Sequence, residues 1–129
     1  MTASAEAVGL GPLARRLGGF GAVVDPAVLS QGERQLVALG RAHLSPAPVV
    51  LLDEATCHLD PAAEERAENA FARRPGTLVV VAHRISSARR ADRVLVMDGV
   101  HADCGRHEEL LDRSALYRDL VGDWHTERL

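Results

Sequence analysis

Two adjacent carboxylates follow an apolar run near the middle of the chain. Val49 to Leu52 is continuously apolar, as expected for a strand buried on both faces, and Asp53 and Glu54 stand at its carboxyl end. Open parallel sheets bind their ligands at that end. One carboxylate there could hold hydrated magnesium, and the other could orient or deprotonate an attacking water. An ordinary polar loop after a core strand explains the same residues, so the pair alone leaves both interpretations open.

A second candidate site precedes this strand in the chain. Ser30 is a favourable N-cap and Glu33 follows at capping-box spacing, and apolar residues then recur at helical spacing. This pattern predicts a helix from about Gln31 to His43. Gly32 allows close approach to the first turn, where free backbone amides attract phosphate. The alternative is an ordinary capped helix without a ligand.

A histidine follows a second apolar strand. Thr77 to Ala82 reads as that strand, and His83 stands at its carboxyl end. A lone histidine in this position is usually structural. The functional alternative is a contact with phosphate or with an attacking water. A neutral imidazole nitrogen can accept a hydrogen bond from that water.

The remaining chain gives a series of local predictions. Asp60 and Pro61 form a cap and a first helical position, so a helix is expected from Pro61 to Arg73 with most of its charges on a solvated face. Met1 to Val8 is expected to be frayed. Asp98-Gly99 is typical of a two-residue hairpin turn. Further expected elements are helices over Leu10–Leu17, Ile85–Ala91, Arg106–Leu111 and Ala115–Val121, and strands over Arg93–Met97 and Val100–Cys104.

The types of basic residue in the chain exclude one phosphate-binding motif. All 15 of them are arginine, and the chain contains no lysine. A phosphate-binding P-loop needs a glycine-rich turn with a lysine that reaches the β- and γ-phosphates, so that motif is absent. The glycine cluster Gly18 to Gly21 has no lysine ending and no preceding buried strand, and it is predicted to be a loop.

Composition excludes further classes. The net charge of -3 gives no electrostatic argument for a nucleic-acid partner. No apolar run approaches the roughly 20 residues of a membrane span. Aromatic residues make up 3% of the chain, so the core must consist mainly of Leu, Val and Ala. Cys57 and Cys104 show no metal-site spacing and are expected to be free thiols.

The order of these motifs resembles that in the ATPase domain of ABC transporters, and the motif sequences are most similar to those of the exporter branch. Leu29 to Gln35 resembles the signature motif, with Gln31 where the commonest form has glycine. Val49 to Glu54 resembles the Walker B strand with its adjacent glutamate. Cys57 to Asp60 is similar to the D-loop, although its first two positions are unusual, and Ala82 to Arg84 resembles the H-loop.

The resemblance runs from about Ala5 to Val121 and implies an α/β fold. That fold is a partial P-loop NTPase (RecA-like) core with the signature helix, an incomplete parallel sheet, and a C-terminal hairpin and helices. Residues 5–48 would be the end of the helical subdomain, and residues 49–121 the C-terminal half of the ATPase core. In the family, the P-loop strand separates the strands that resemble Thr77–Ala82 and Arg93–Met97. We therefore expect unpaired apolar edges and marginal stability or self-association.

The resemblance also implies roles for individual residues. In the family, two ATPase domains meet head to tail, and each ATP lies between the P-loop side of one domain and the signature of the other. Asp53 would then hold magnesium through water, Glu54 would polarise the lytic water, Asp60 would cross the dimer interface, and His83 would complete the γ-phosphate contacts. The signature positions implied to contact the partner's nucleotide are Ser30, Gln31, Gly32 and Glu33.

These expectations lead to three open functions. The first is a fragment of an exporter ATPase without autonomous activity. The second is the complementing half of a split ATPase, and the third is a non-enzymatic modulator of an intact ABC ATPase domain. ATP and Mg²⁺ are expected only with a partner that contains a P-loop. That partner is another ABC ATPase domain or the missing P-loop half, with a transmembrane domain contacted indirectly. A cytoplasmic protein, peripheral to the inner face of the cell membrane, is expected.

Overall fold

The computed structural model describes the backbone of residues 1–126 and the side chains of residues 1–123. The fold is mixed α/β, as predicted, and it divides into two compact units, Met1–Val81 and the part of the chain that begins at Ala82. The helices are α1 (Thr2–Ala7), α2 (Gly11–Arg16), α3 (Gln31–Leu44), α4 (Pro61–Ala72), α5 (Ile85–Arg90), α6 (His107–Arg113) and α7 (Ala115–Thr126). The strands are β1 (Val49–Asp53), β2 (Thr77–Val81), β3 (Val94–Met97) and β4 (Ala102–Gly105).

The first unit is built on a short parallel sheet. Strands β1 and β2 pair in parallel with Val49 opposite Thr77, and within the described residues neither strand pairs with any other. The backbone N–H of Thr77 donates to the carbonyl of Pro48 at 2.8 Å, which starts the pairing. Gly76 precedes β2 at φ +111°, and a Cβ there would collide with the Pro48 carbonyl. This junction therefore needs glycine.

The prediction that β1 is buried on both faces is wrong. Leu52 is 4% exposed and packs in the core, whereas Val49 and Leu51 are 58% and 63% exposed. Val79 and Val81 of β2 are also exposed. The apolar run places apolar side chains on both faces of the sheet, but in the first unit the helices cover only one face. The other face is an open apolar surface, and exposed apolar surfaces of this kind favour association between molecules.

The N-terminal segment is ordered, contrary to the prediction that Met1–Val8 is frayed. It forms α1, and Ala5 and Val8 are 3% and 1% exposed. Alanine favours helix, and these two side chains at i and i+3 share one face that packs on α3 and α4. The expected helix after it is present as α2, and Gly18 and Gly19 then form turns with positive φ, as predicted for a loop.

Helix α4 begins where its cap predicts, but its charges are not all solvated. Glu64 and Glu68 are each 5% exposed. They lie at i and i+4 on the same side as Ala67 and Phe71, which belong to the core of the first unit. Their helical phase therefore buries them, and the expectation of a solvated charged face does not hold for this pair.

The second unit contains the predicted hairpin with a longer turn. Strands β3 and β4 pair antiparallel from Val94 opposite Gly105 to Met97 opposite Ala102, so residues 98–101 form a four-residue loop, not the predicted two-residue turn. Asp98 Oδ1 accepts the N–H groups of the residues two and three positions later, at 3.0 and 2.7 Å, and Gly99 has φ +91°. These bonds lower the pKa of the Asp98 carboxyl below 3.8.

The core of the second unit lies against the terminal helices. It contains the buried side chains Ile85, Ala88, Val96, Leu110 and Tyr117. The Tyr117 hydroxyl and His107 Nδ1 are 2.7 Å apart inside it. Among the described helices, none combines the length and the apolar character that crossing a membrane requires.

Candidate functional site

The N-terminus of α3 is held by a complete capping box. Ser30 Oγ accepts the backbone N–H of Glu33 at 3.2 Å, and Glu33 Oε2 accepts the backbone N–H of Ser30 at 2.9 Å. This confirms the predicted cap. Glu33 also forms an ion pair with Arg16. The Ser30 amide, followed by the Arg16 charge, holds the pKa of the Glu33 carboxyl below 4.5. Glu33 is therefore an ionised part of the cap.

The first turn of α3 offers donors to solvent. Ser30 and Gln31 are exposed, and the Ser30 hydroxyl accepts only the Glu33 amide among the described hydrogen bonds, so its proton is available to a ligand. Backbone N–H groups at a helix N-terminus have no intrahelical acceptor. With the positive end of the helix dipole, they suit an anion.

Gly32 brings this turn close to another segment of the chain. A Cβ at Gly32 would lie 2.9 Å from the backbone oxygen of His58. Only glycine allows the helix to approach that carbonyl so closely. Helix α3 and the segment that resembles the D-loop are therefore in direct contact.

Asp53 and Glu54 end strand β1 with exposed carboxylates. Glu54 has φ +50°, in the left-handed region that a non-glycine residue rarely adopts. Such a conformation costs about 1–3 kcal/mol and persists where the surroundings fix it. The Glu54 carbonyl accepts the N–H of Cys57 at 3.4 Å, and the Thr56 carbonyl accepts the N–H of Leu59 at 3.0 Å. We call residues 54–58 the Glu54 turn.

Gln35 connects α3 to the Glu54 turn, a role that was not predicted, since Gln35 entered the sequence analysis only as the last residue of the stretch that resembles the signature motif. Its Nε2 donates to the Glu54 carbonyl at 2.9 Å and to Cys57 Sγ at 3.1 Å, and its Oε1 accepts the N–H of His58 at 2.9 Å. A sequence signal existed, because Gln35 lies at i+4 from Gln31 and its side chain covers the helical turn before it. Nothing in the sequence identified its partners.

The remaining predicted residues fall in different places. Asp60 Oδ1 accepts the N–H groups of Ala62 and Ala63 at 3.0 and 2.9 Å, which confirms Asp60 as the cap of α4. His83 is exposed and belongs to the second unit. Residues 30–33, Asp53, Glu54 and Asp60 thus belong to the first unit, and His83 belongs to the other.

No metal cage is present among the described residues: none of their His, Cys, Asp and Glu side chains form a group of three or more able to hold an ion. Mg²⁺ often keeps its waters and takes only one or two carboxylates together with phosphate oxygens. The exposed Asp53 carboxylate at a strand end fits that limited role. Cys57 and Cys104 are free and exposed, as predicted.

Known proteins similar to this chain are ABC transporters. The ABC transporter ATP-binding protein RamB of Streptomyces coelicolor is 68% identical over 126 residues, which cover 98% of this chain and 21% of RamB. The ATP-dependent lipid A-core flippase of Alkalilimnicola ehrlichii is 42% identical over 107 residues, covering 79% of this chain and 18% of the flippase. No protein-family model matches the chain.

The fold agrees with the sequence matches. A bacterial Atm1-family ABC exporter with ATP bound superposes with a TM-score of 0.79 at 34% identity, covering 95% of this chain and 22% of the exporter. These matches confirm the predicted resemblance, and the chain is related in sequence and fold to ABC exporter ATP-binding proteins. The chain spans about a fifth of the length of the relatives it matches.

Proposed function

We propose that the chain supplies the signature helix and the Walker B strand to an ABC-type ATP site that is completed by a P-loop-containing partner. The observation that carries the proposal is the contact between two parts of the first unit: the capped N-terminus of α3 and the carboxyl end of β1, joined through Gln35. One part suits an anion and the other suits hydrated magnesium and water. The same two parts resemble the signature and the Walker B motif.

Two distinct phosphate environments follow from this arrangement. In a head-to-tail dimer, Ser30, Gln31 and Gly32 would donate to the γ-phosphate of the nucleotide held by the partner. Asp53 and Glu54 would serve the nucleotide held by the P-loop that completes this chain's own core, where Mg²⁺ supplies charge neutralisation when bound. Positioning and preorganised charge of this kind provide most of the catalysis of phosphoryl transfer.

The remaining predicted roles belong to the same proposal. Both capping bonds of the exposed Asp60 go to Oδ1, and we propose that Oδ2, which takes no part in the cap, makes the contact across the dimer interface. His83 would contact the γ-phosphate, and Glu33 would support the phosphate site through the cap. The assembly would lie at the cytoplasmic face of the membrane and would power transmembrane export.

A binding and turnover experiment tests the proposal. The purified chain is titrated with ATP and Mg²⁺ alone and after mixing with the P-loop half of an ABC ATPase domain, which contains neither a signature motif nor a Walker B strand. We expect no binding by the chain alone and restored binding and turnover in the mixture. Turnover by the chain alone, or a mixture no more active than the partner, would contradict the proposal.

A modulator function would use only the capped N-terminus of α3 and not the Walker B strand. Two variants distinguish the functions. Ser30→Ala should lower turnover in both cases, since both use the signature. Glu54→Gln should abolish turnover only if this chain's Walker B strand completes an active site, and it should have no effect if the chain only offers its signature to an intact partner.

A further inference from the structure

We propose that Gln35 is a positioning residue that holds the Glu54 turn against the signature helix, so that one side chain orients both of the phosphate-facing parts of the first unit. The proposal rests on the proposed function for its catalytic consequence, but its geometric content concerns this chain alone. Gln35 is not among the residues to which the motifs assign a role.

The first argument is the complementarity of its three hydrogen bonds. The Gln35 amide uses its donor side toward the Glu54 carbonyl and Cys57 Sγ, and its acceptor side toward the His58 N–H. Donor and acceptor are thus matched to both ends of the turn. No apolar side chain, and no side chain with donors alone or acceptors alone, can make this set of bonds.

The second argument is the backbone strain at Glu54. A non-glycine residue at φ +50° needs surrounding contacts that over-determine it. The Gln35 bond to the Glu54 carbonyl is one such contact, and it acts at the strained peptide itself. Loss of this bond should allow Glu54 to relax toward an ordinary conformation and should redirect its carboxylate.

The third argument is a second contact at the same turn. Gly32 lies one helical turn before Gln35, and its Cα approaches the His58 carbonyl. Gln35 accepts a hydrogen bond from the N–H of the same His58. The helix therefore touches both sides of the His58 backbone. Two contact points on one rigid helix fix the orientation of the turn as well as its distance, so a shift of the signature helix is transmitted to Glu54.

A test without nucleotide reads the geometry directly. In the chain alone, Gln35→Met should accelerate hydrogen exchange of the His58 amide by about fivefold or more, since it removes a bonded acceptor. It should also slow alkylation of Cys57, which is already exposed, because the amide N–H that stabilises its thiolate is lost. Gln35→Glu keeps the acceptor but replaces the donor with a negative charge beside Cys57 Sγ, so His58 should remain protected while Cys57 is alkylated more slowly. The control is Arg41→Met, which places the same new residue at an exposed position of α3.

A second arm reads the consequence in the mixture with the P-loop-containing partner. Gln35→Met should lower kcat by about tenfold with KM changed less than about twofold, because the lytic carboxylate is misplaced while the nucleotide contacts remain. Arg41→Met should match the unsubstituted chain in both parameters.

The outcomes separate this inference from the proposed function. Unchanged exchange and alkylation in Gln35→Met would overturn the inference. A loosened turn with an undiminished kcat would also overturn it, because Gln35 would then be structural only. A mixture in which even the unsubstituted chain gives no turnover would count against the proposed function, and the exchange measurements would then decide the role of Gln35 by themselves.

Discussion

Replacing Gly32 with alanine should destabilise the first unit through a single steric contact. The new Cβ would lie 2.9 Å from the His58 backbone oxygen, where ordinary contact begins at 3.4 Å, so helix or turn must move by about half an ångström. Overpacking against backbone of this kind costs about 1–3 kcal/mol. Alanine in a helix returns about 0.5–1 kcal/mol relative to glycine. The expected result is a net loss of about 0.5–2 kcal/mol in the free energy of unfolding.

The measurement is urea denaturation followed by circular dichroism, and the chain offers two matched controls. Among the described residues, no atom lies within 4 Å of a Cβ placed at Gly122 in α7, so Gly122→Ala should gain only the stability that alanine gives a helix relative to glycine. A Cβ at Gly40, in α3 itself, would collide with Leu10 Cδ2 at 2.7 Å, the end of a flexible side chain that can move aside, and its contact with Val8 at 3.9 Å would be ordinary. Gly40→Ala should therefore fall between the other two variants.

The reasoning would be refuted if Gly32→Ala were as stable as the unsubstituted chain or shared the gain of Gly122→Ala. Either result would mean that the close approach between α3 and the His58 carbonyl does not exist in solution. The inference about Gln35 would then lose one of its supporting observations, the contact between Gly32 and the His58 carbonyl.

Three further predictions concern the cap and the open sheet face. Ser30→Ala should cost about 0.5–2 kcal/mol in the same urea assay, and Ser30→Thr should recover most of it. The pKa of Glu33 is lowered from 4.5, so its stabilising effect is present above that pH and is lost as the pH falls through the lowered value. Glu33→Gln should flatten the fall in denaturation midpoint between about pH 6 and about pH 3, and an unchanged slope would contradict this origin. Leu51→Thr combined with Val79→Thr should reduce self-association in sedimentation velocity, and an equally associated variant would show that the open face is not responsible.

Local chemistry made several elements predictable. The start of α3 follows from Ser30 and Glu33, and the start of α4 follows from Asp60 and Pro61. In each case the interacting groups are within three residues of each other, so the sequence contains the whole interaction. The hairpin followed from Asp98-Gly99 in the same way, although the length of its loop did not, because the register depends on pairing between whole strands.

Motif order determined the relationship to ABC transporters, and composition excluded a lysine P-loop. Both are properties of the residues themselves and need no coordinates. The roles of Ser30, Gly32, Asp53, Glu54 and the other motif residues were reached by resemblance, and they remain predictions for the variants described above.

Burial could not be predicted, because it depends on what covers a side chain from elsewhere in the chain. Val8 lies in the core, Glu64 and Glu68 are buried, and Leu51 is exposed, each against the local expectation. An apolar run or a charged helix defines its own faces but not its neighbours. The Gln35 bonds have the same origin, since their partners lie 19 to 23 residues away along the chain. The sequence determined which groups could act, and only tertiary packing decided which of them meet.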